Sequence, residues 1–111
     1  MLIAERCLVV NESGAKMPVP IRIFAPVASD AHFLCRYEIG WPEGAWASAV
    51  AGVDAVQALH LALQKIGAEL YASDHHRAGR LQWSHGRQGY GFPVPRNARD
   101  RLIGDDRIFD A

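Results

Sequence analysis

Residues 52–73 read GVDAVQALHLALQKIGAELYAS, and this stretch carries the strongest structural signal in the chain. Asp54 is suited to cap the start of a helix, and Gln57 stands three residues later, where a capping box requires it. Apolar residues then recur at intervals of three and four, at Val56, Leu59, Leu63, Ile66 and Leu70. The pattern predicts an amphipathic helix from Asp54 to Tyr71, about 27 Å long at 1.5 Å per residue.

The residues before this helix alternate between apolar and other side chains, as half-buried strands do. The alternation covers 2–10, 19–27 and 32–41, and a run of small residues follows at 46–52. Hairpin-length turns separate these runs, and RLQW at 80–83 could add a fifth strand. We therefore expect an α+β fold, an antiparallel β-meander of four to five strands with one long amphipathic helix packed on one face.

Length and composition are typical of one globular domain, because 50% of the 111 residues are apolar and 22% are charged. We predict a single α+β domain over residues 1–95 and a charged, partly flexible C-terminal tail over residues 96–111. No apolar run approaches the roughly 20 residues that cross a bilayer, and MLIAERCLVV lacks the features of a signal peptide. A cytoplasmic location without membrane contact is expected.

Two cysteines and an uneven charge distribution add further expectations. Cys7 and Cys35 lie in strand-like runs without a CxxC pair, so two buried thiols are expected. Net charge is zero overall, but residues 74–101 contain six Arg and two Asp. This local excess of arginine is typical of an interface, since the planar guanidinium suits bidentate contacts.

The segment SDHHRAGR at 73–80 is the first candidate site. His75 and His76 are adjacent, so on a helix they would point about 100° apart and could not both bind one metal ion. Asp74 could orient His76 for acid–base chemistry, but no nucleophile motif accompanies the pair. The structural interpretation is favoured, in which these cations and Gly79 end a helix or a short turn capped by Ser73 or Asp74. No catalytic residue, metal or cofactor is predicted.

The segment RLQWSHGRQGYGF at 80–92 alternates arginines with aromatic residues, which both protein and nucleic-acid interfaces use. A plain structural use is also open, with Trp83 and Phe92 covering the open end of the core. The candidate binding residues are His75, His76, Arg77, Arg80, Trp83, His85, Arg87 and Tyr90. The face of the sheet opposite the helix, with Phe24, Leu34 and Arg36, is a candidate homodimer surface.

The run from IRIFAPV through CRYEIG to GVDAVQALHLALQKIGAELYASDHHRAGRLQW, with GFPVP after it, resembles an uncharacterised family of small bacterial proteins, a domain of unknown function. The resemblance covers about residues 3–95 and is most specific from Asp54 to Trp83. It implies a bacterial, cytoplasmic single domain and carries no catalytic residues to this chain.

Three functions follow from these patterns. The first is a non-enzymatic protein-binding module, in one version an immunity or antitoxin-type inhibitor acting through the Arg/aromatic surface. The second is a small enzyme or ligand-binding domain that uses Asp74, His75, His76 and Arg77. The third is nucleic-acid binding through residues 77–101, which the neutral overall charge disfavours.

Overall fold

A computed structural model describes residues 1–83 and 89–109 of the chain. One long helix lies on a six-stranded antiparallel sheet, which confirms the predicted α+β fold with more strands than the expected four to five. The elements in chain order are β1 Leu2–Glu12, β2 Ala15–Phe24, β3 Val27–Ser29, β4 His32–Trp41, β5 Gly44–Gly52, α1 Ala55–Ala72, α2 Asp74–Arg77, β6 Leu81–Trp83, a 3₁₀ helix Arg96–Arg101 and α3 Gly104–Phe109.

Strand β4 organises the sheet. It pairs with β5 along Phe33–Trp41 on one side, and with β2 and β3 on the other. β1 continues the sheet beyond β2, and β6 adds a short strand to β1. The strand β3 is separate because Pro26, which has no N–H to donate, follows the end of β2. Within the described residues, β5 therefore forms one edge of the sheet and β6 the other.

The core lies between one face of this sheet and α1. On β4 the inward side chains are Cys35, Tyr37 and Ile39, which are fully buried, as the alternation of residues 32–41 requires of one face. The other buried sheet residues come from β1, β2 and β6, and they are Leu8, Val10, Val19, Ile21, Ile23 and Leu81. The helix contributes four buried residues spaced four apart, Ala58, Ala62, Ile66 and Leu70, and also Tyr71.

The predicted capping of α1 is confirmed. Asp54 Oδ1 accepts a hydrogen bond from the Gln57 backbone N–H at 2.7 Å, and Gln57 Oε1 accepts one from the Val53 N–H at 2.7 Å. The expected burial of Val56 is wrong, because its side chain is 77% exposed. Gly67 lies on the same flank of α1 about three turns further along, and there the Pro93–Val94 segment covers the helix, whereas Val56 faces solvent.

Residues 90–102 close the rest of the core. Phe92, Val94 and Leu102 are buried, and the chain passes so close to α1 that a Cβ at Gly67 would overlap the carbonyl oxygen of Pro93. Residues 96–109, predicted as a tail, form a 3₁₀ helix and α3, with Asp106 only 3% exposed. Contacts of the domain thus continue past residue 95, and flexibility of the last residues stays a prediction.

The two cysteines differ in burial. Cys35 is buried as expected, but the expectation for Cys7 is wrong, because it lies on the open face of the sheet and is exposed. Both are free thiols. Among the described helices, none combines the length and the apolar character that crossing a membrane requires.

The core position of α1 can be tested with two alanine substitutions that the sequence pattern alone would rank equally. Ile66→Ala should lower the free energy of unfolding by about 2–5 kcal/mol, because it opens a cavity in a fully buried site. Val56→Ala should change it by less than about 0.5 kcal/mol, because that side chain is exposed. Urea unfolding followed by tryptophan fluorescence measures both, and equal losses would contradict this packing of α1.

Candidate functional site

The chain turns sharply at the end of α1, and Ser73 controls the turn. Its backbone N–H and its hydroxyl both bond to the Leu70 carbonyl, and its Oγ accepts a hydrogen bond from the His76 N–H at 3.1 Å. Ser73 is thereby the cap of α2, which ends before Gly79 in the left-handed region at φ 71°. The preferred interpretation of SDHHRAGR as a helix end is confirmed.

The two adjacent histidines point to different sides of this turn. The His75 ring stacks on Trp41 and donates from Nε2 to Glu43 Oε1 at 2.9 Å, while Arg80 donates to its Nδ1 at 3.3 Å. The His76 ring turns inward, where its Nδ1 lies 2.5 Å from the Tyr90 hydroxyl. Because the rings diverge, His75 belongs to an outer groove and His76 to a buried network.

The outer groove, called here the Trp46 groove, lies between the β4–β5 turn and the junction of α1 with α2. It is an open depression of about 390 Å³. Its lining consists of Trp41, Glu43, Trp46, Glu69, Ala72, Ser73, Asp74, His75 and Arg77. Trp46 is half exposed, so one indole ring is available to a bound group, whereas Trp41 is partly covered by His75.

The Trp46 groove has an excess of carboxylates. Asp74 and Arg77 form an ion pair within α2, so their charges offset each other. Glu43 accepts from His75, and this hydrogen bond is the main reason that its pKa is lowered. Glu69 accepts from the Tyr37 hydroxyl at 2.8 Å, and burial together with this carboxylate raises the pKa of Tyr37 to about 12. Two carboxylates, Glu43 and Glu69, therefore face the groove without an arginine or lysine partner among its described lining residues.

Behind α2, Asp106 lies at the centre of the buried network. Its carboxylate accepts from the Tyr71 hydroxyl at 2.5 Å and from the Tyr90 and Gly91 N–H groups at 2.8 and 2.6 Å. The Tyr71 hydroxyl also accepts from the Ile103 N–H at 3.2 Å. Burial raises the pKa values of Tyr71 and Tyr90, so both phenols stay protonated as donors. The network connects α1, α2, the 89–92 segment and α3.

Arg6 supports the same segment from the sheet side. Its Nη1 donates to the Tyr90 and Gly91 carbonyls at 3.1 and 2.7 Å, and its guanidinium lies 4.2 Å from the centre of the Trp83 ring. Burial lowers the pKa of Arg6, and the charge of Asp106 acts in the opposite direction. The Tyr90–Gly91 segment belongs to no strand or helix, so its backbone groups lack the partners that such elements provide. Arg6 supplies donors to its carbonyl groups, and Asp106 accepts from its N–H groups.

The structure divides the residues predicted to form one Arg/aromatic surface. His75 and Arg77 lie in the Trp46 groove, with Arg80 behind His75, whereas His76 and Tyr90 belong to the buried network. Trp83 is half-buried beside Arg6, and Phe92 is buried, as the structural alternative expected. His85 and Arg87 lie outside the described residues. Among the described His, Cys, Asp and Glu residues, no group of three is placed to hold a metal ion.

Sequence reasoning missed most of the residues that shape these sites. Trp41 and Trp46 flank the PEGA turn, and the hairpin register puts Trp46 opposite Ile39 on the face that also bears Trp41. That register was available as a signal, because the turn length and the alternation of β4 predict the shared face. No local pattern points to Arg6 or Asp106, because their partners are distant in sequence. Arg6 bonds to the Tyr90 carbonyl 84 residues away, and Asp106 accepts from the Gly91 N–H 15 residues away.

Comparison with known families agrees with the resemblance inferred from the sequence. The model of the family described as Domain of unknown function (DUF6968) matches residues 4–94. No curated protein and no solved structure matches the chain. The matched range includes Arg6, the Trp46 groove and Tyr90, and it ends before Asp106.

The role of Asp106 can be tested by removing its carboxylate. Asp106→Ala would leave the Tyr71 hydroxyl and two backbone N–H groups without their acceptor, so we expect a loss of about 2–4 kcal/mol in the free energy of unfolding. Asp100→Ala removes the same charge from an exposed site and should cost less than about 0.5 kcal/mol. Urea unfolding that gave equal losses for the two variants would argue against the network.

The inward position of His76 predicts a pH dependence. Burial, followed by the charge of Arg77, lowers the pKa of His76 below its usual 6.5, so the folded protein binds this proton more weakly than the unfolded chain. The free energy of unfolding should therefore decrease as the pH falls from about 7 through 6.5. His76→Asn, which keeps a polar partner for Tyr90, should reduce this decrease, while His60→Asn on the exposed side of α1 should not. Thermal unfolding between pH 5 and 8 measures it, and an unchanged slope in His76→Asn would refute the assignment.

Proposed function

The chain belongs to the DUF6968 family of domains of unknown function, and we propose that it is a non-enzymatic protein-binding module. In this proposal, the Trp46 groove receives a basic side chain, arginine or lysine, from a partner protein. The observation that carries the proposal is the half-exposed Trp46 ring beside two carboxylates, Glu43 and Glu69, whose charges no described arginine or lysine of the groove offsets.

The chemistry of the Trp46 groove favours a cation. A guanidinium or ammonium group over a tryptophan face is attracted by the ring, with a gain of about 0.5–2 kcal/mol that increases as water is excluded. Carboxylates add charge-assisted hydrogen bonds, which a guanidinium can make in pairs. Glu69 is already held by Tyr37, and Glu43 by His75, so both acceptors are oriented before a ligand arrives. Such preorganisation reduces the entropy cost of binding.

The other two functions have less support from the described residues. Acid–base catalysis by Asp74 and a histidine needs their side chains to face one substrate, yet Asp74 is paired with Arg77, and the two histidines face different sides of α2. Nucleic-acid binding through residues 77–101 needs available cations, yet two arginines of that range, Arg77 and Arg80, donate to groups of the same chain. The Glu43 and Glu69 carboxylates of the groove would also repel a phosphate backbone.

The proposal is tested by titrating the labelled protein with the peptide acetyl-Gly-Arg-Gly-amide. The three tryptophans give three indole N–H signals in a proton–nitrogen NMR spectrum. The signals of Trp46 and Trp41 should move, because both rings line the groove, whereas that of Trp83 should not. The matched peptide with citrulline, which keeps the shape of arginine without its charge, should bind at least tenfold more weakly.

A substitution pair separates the groove from general charge effects. Glu69→Gln keeps the acceptor for Tyr37 and removes one charge, so the arginine peptide should bind about tenfold more weakly, as expected for loss of one charge-assisted contact. Glu12→Gln, at the exposed end of β1, removes the same charge elsewhere and should leave the affinity unchanged. Equal binding of the arginine and citrulline peptides, or no movement of Trp46 at millimolar peptide, would exclude the proposal.

A further inference from the structure

The edge of the sheet formed by β5 lacks the features that normally protect an exposed strand. β5 has nine residues, GAWASAVAG, without a proline or a charge, and in the described part of the chain it pairs only with β4. Exposed edges are usually blunted by charged residues, proline or bulges, because their outward N–H and C=O groups can pair with another strand. From this edge we infer that β5 pairs antiparallel with β5 of a second copy of the chain, which joins two sheets into one.

The sequence of β5 is complementary to itself in this arrangement. Antiparallel pairing about a twofold axis at Ser48 places Ala47 opposite Ala49 of the second copy, and Ala45 opposite Ala51, all on the open face of the sheet. On the helix side, the half-exposed Trp46 meets the partly buried Val50 of the second copy. Aromatic and β-branched residues are a favourable cross-strand pair, and small alanines leave no steric barrier.

The position of α1 is compatible with this pairing. α1 packs over β4 and β5, so two copies joined through strands about 4.8 Å apart would bring the two helices to about 10 Å, a normal packing distance. The flank of α1 on this side carries Leu61, Lys65, Ala68 and Ala72 at helical spacing, and the Lys65 ammonium bonds to Ser48 Oγ at 3.3 Å. Leu61 of one copy would lie against the small Ala68 of the other.

The edge is a better dimer surface than the open face expected from the sequence. On that face Arg22 pairs with Glu5 at 2.7 Å, and Arg36 lies 5.0 Å from the centre of the Phe24 ring. These charged groups are satisfied within one copy and in water, so covering them would cost desolvation. The outward backbone groups of β5 gain partners only when another strand arrives.

Sedimentation equilibrium of the full chain tests the inference. The wild-type chain should be a dimer at tens of micromolar, and Ala47→Lys should be a monomer with an unchanged melting temperature when both are measured in dilute solution. Within its own chain, the introduced lysine would lie opposite Glu38 of β4, and this pairing of opposite charges is compatible with folding. In the dimer it would lie opposite Ala49 of the second copy and near that copy's Arg36, whose like charge would repel it. Ala31→Lys, the same change in the exposed turn before β4, should leave the dimer intact.

The register has its own test. In a Cys7→Ser background, Ser48→Cys should form an intermolecular disulfide under mild oxidation, while Ala31→Cys should not. Added salt should strengthen the dimer, because the two Lys65 charges lie near the twofold axis and repel each other. A wild-type monomer up to millimolar concentration would overturn the inference, and so would an Ala47→Lys variant that stays dimeric. Ala47 lies on the open face of the sheet and does not line the Trp46 groove, so titrating the Ala47→Lys variant with the arginine peptide tests the groove separately from the dimer.

Discussion

One helix cannot cover the apolar face of this sheet, and that constraint shapes the rest of the molecule. The sheet is five strand positions wide, about 19 Å from the first strand to the last at 4.8 Å between neighbouring strands, whereas a helix with its side chains is about 10 Å across. α1 packs over β4 and β5, which leaves the inward side chains of β1, β2 and β6 to find another cover. The segment from Tyr90 to Leu102 supplies it, with Phe92, Val94 and Leu102 buried.

Because residues 90–102 cover the core without forming a strand there, their buried backbone groups need hydrogen-bond partners from elsewhere. A segment without helical or sheet hydrogen bonds brings backbone N–H and C=O groups into the interior, where each must find a partner. Asp106 accepts from the N–H groups of Tyr90 and Gly91, and Arg6 donates to the carbonyl groups of the same two residues. A carboxylate and a guanidinium thus hold opposite sides of one short stretch. The charges offset each other across the segment, and Tyr71 ties the carboxylate to α1.

The two sides of the Asp74–Arg77 turn have different surroundings. On its inner side, His76 bonds to the Tyr90 hydroxyl and so helps to hold the segment that covers the core. The outer half faces solvent beside Trp41, Trp46 and two carboxylates, and this is where the molecule presents a concave, negatively charged aromatic surface. The unprotected strand β5 carries Trp46 itself, so the proposed ligand groove and the proposed dimer edge share this residue, with Glu43 and Glu69 on the groove side and Val50 of the second copy at the edge. The proposed binding chemistry lies at the β5 side of the domain, and the contacts of Arg6 and Asp106 with residues 90–91 lie towards the β1 side.

The sequence by itself determined the elements that depend on local patterns. The period of two in β1, β2 and β4, the capping box at Asp54 and the helix end at Ser73 and Gly79 all act within a few residues, so they could be predicted and were confirmed. The extra strand β3 and the exposure of Val56 and Cys7 depend on what lies beside them, and pattern reasoning missed them. Only the tertiary structure decided that His75 and His76 serve different sites, that Tyr90 is buried, and that Arg6 and Asp106 converge on residues 90–91. These contacts join residues up to 85 positions apart, and no local rule of propensity or spacing encodes which buried backbone group will need a charged partner.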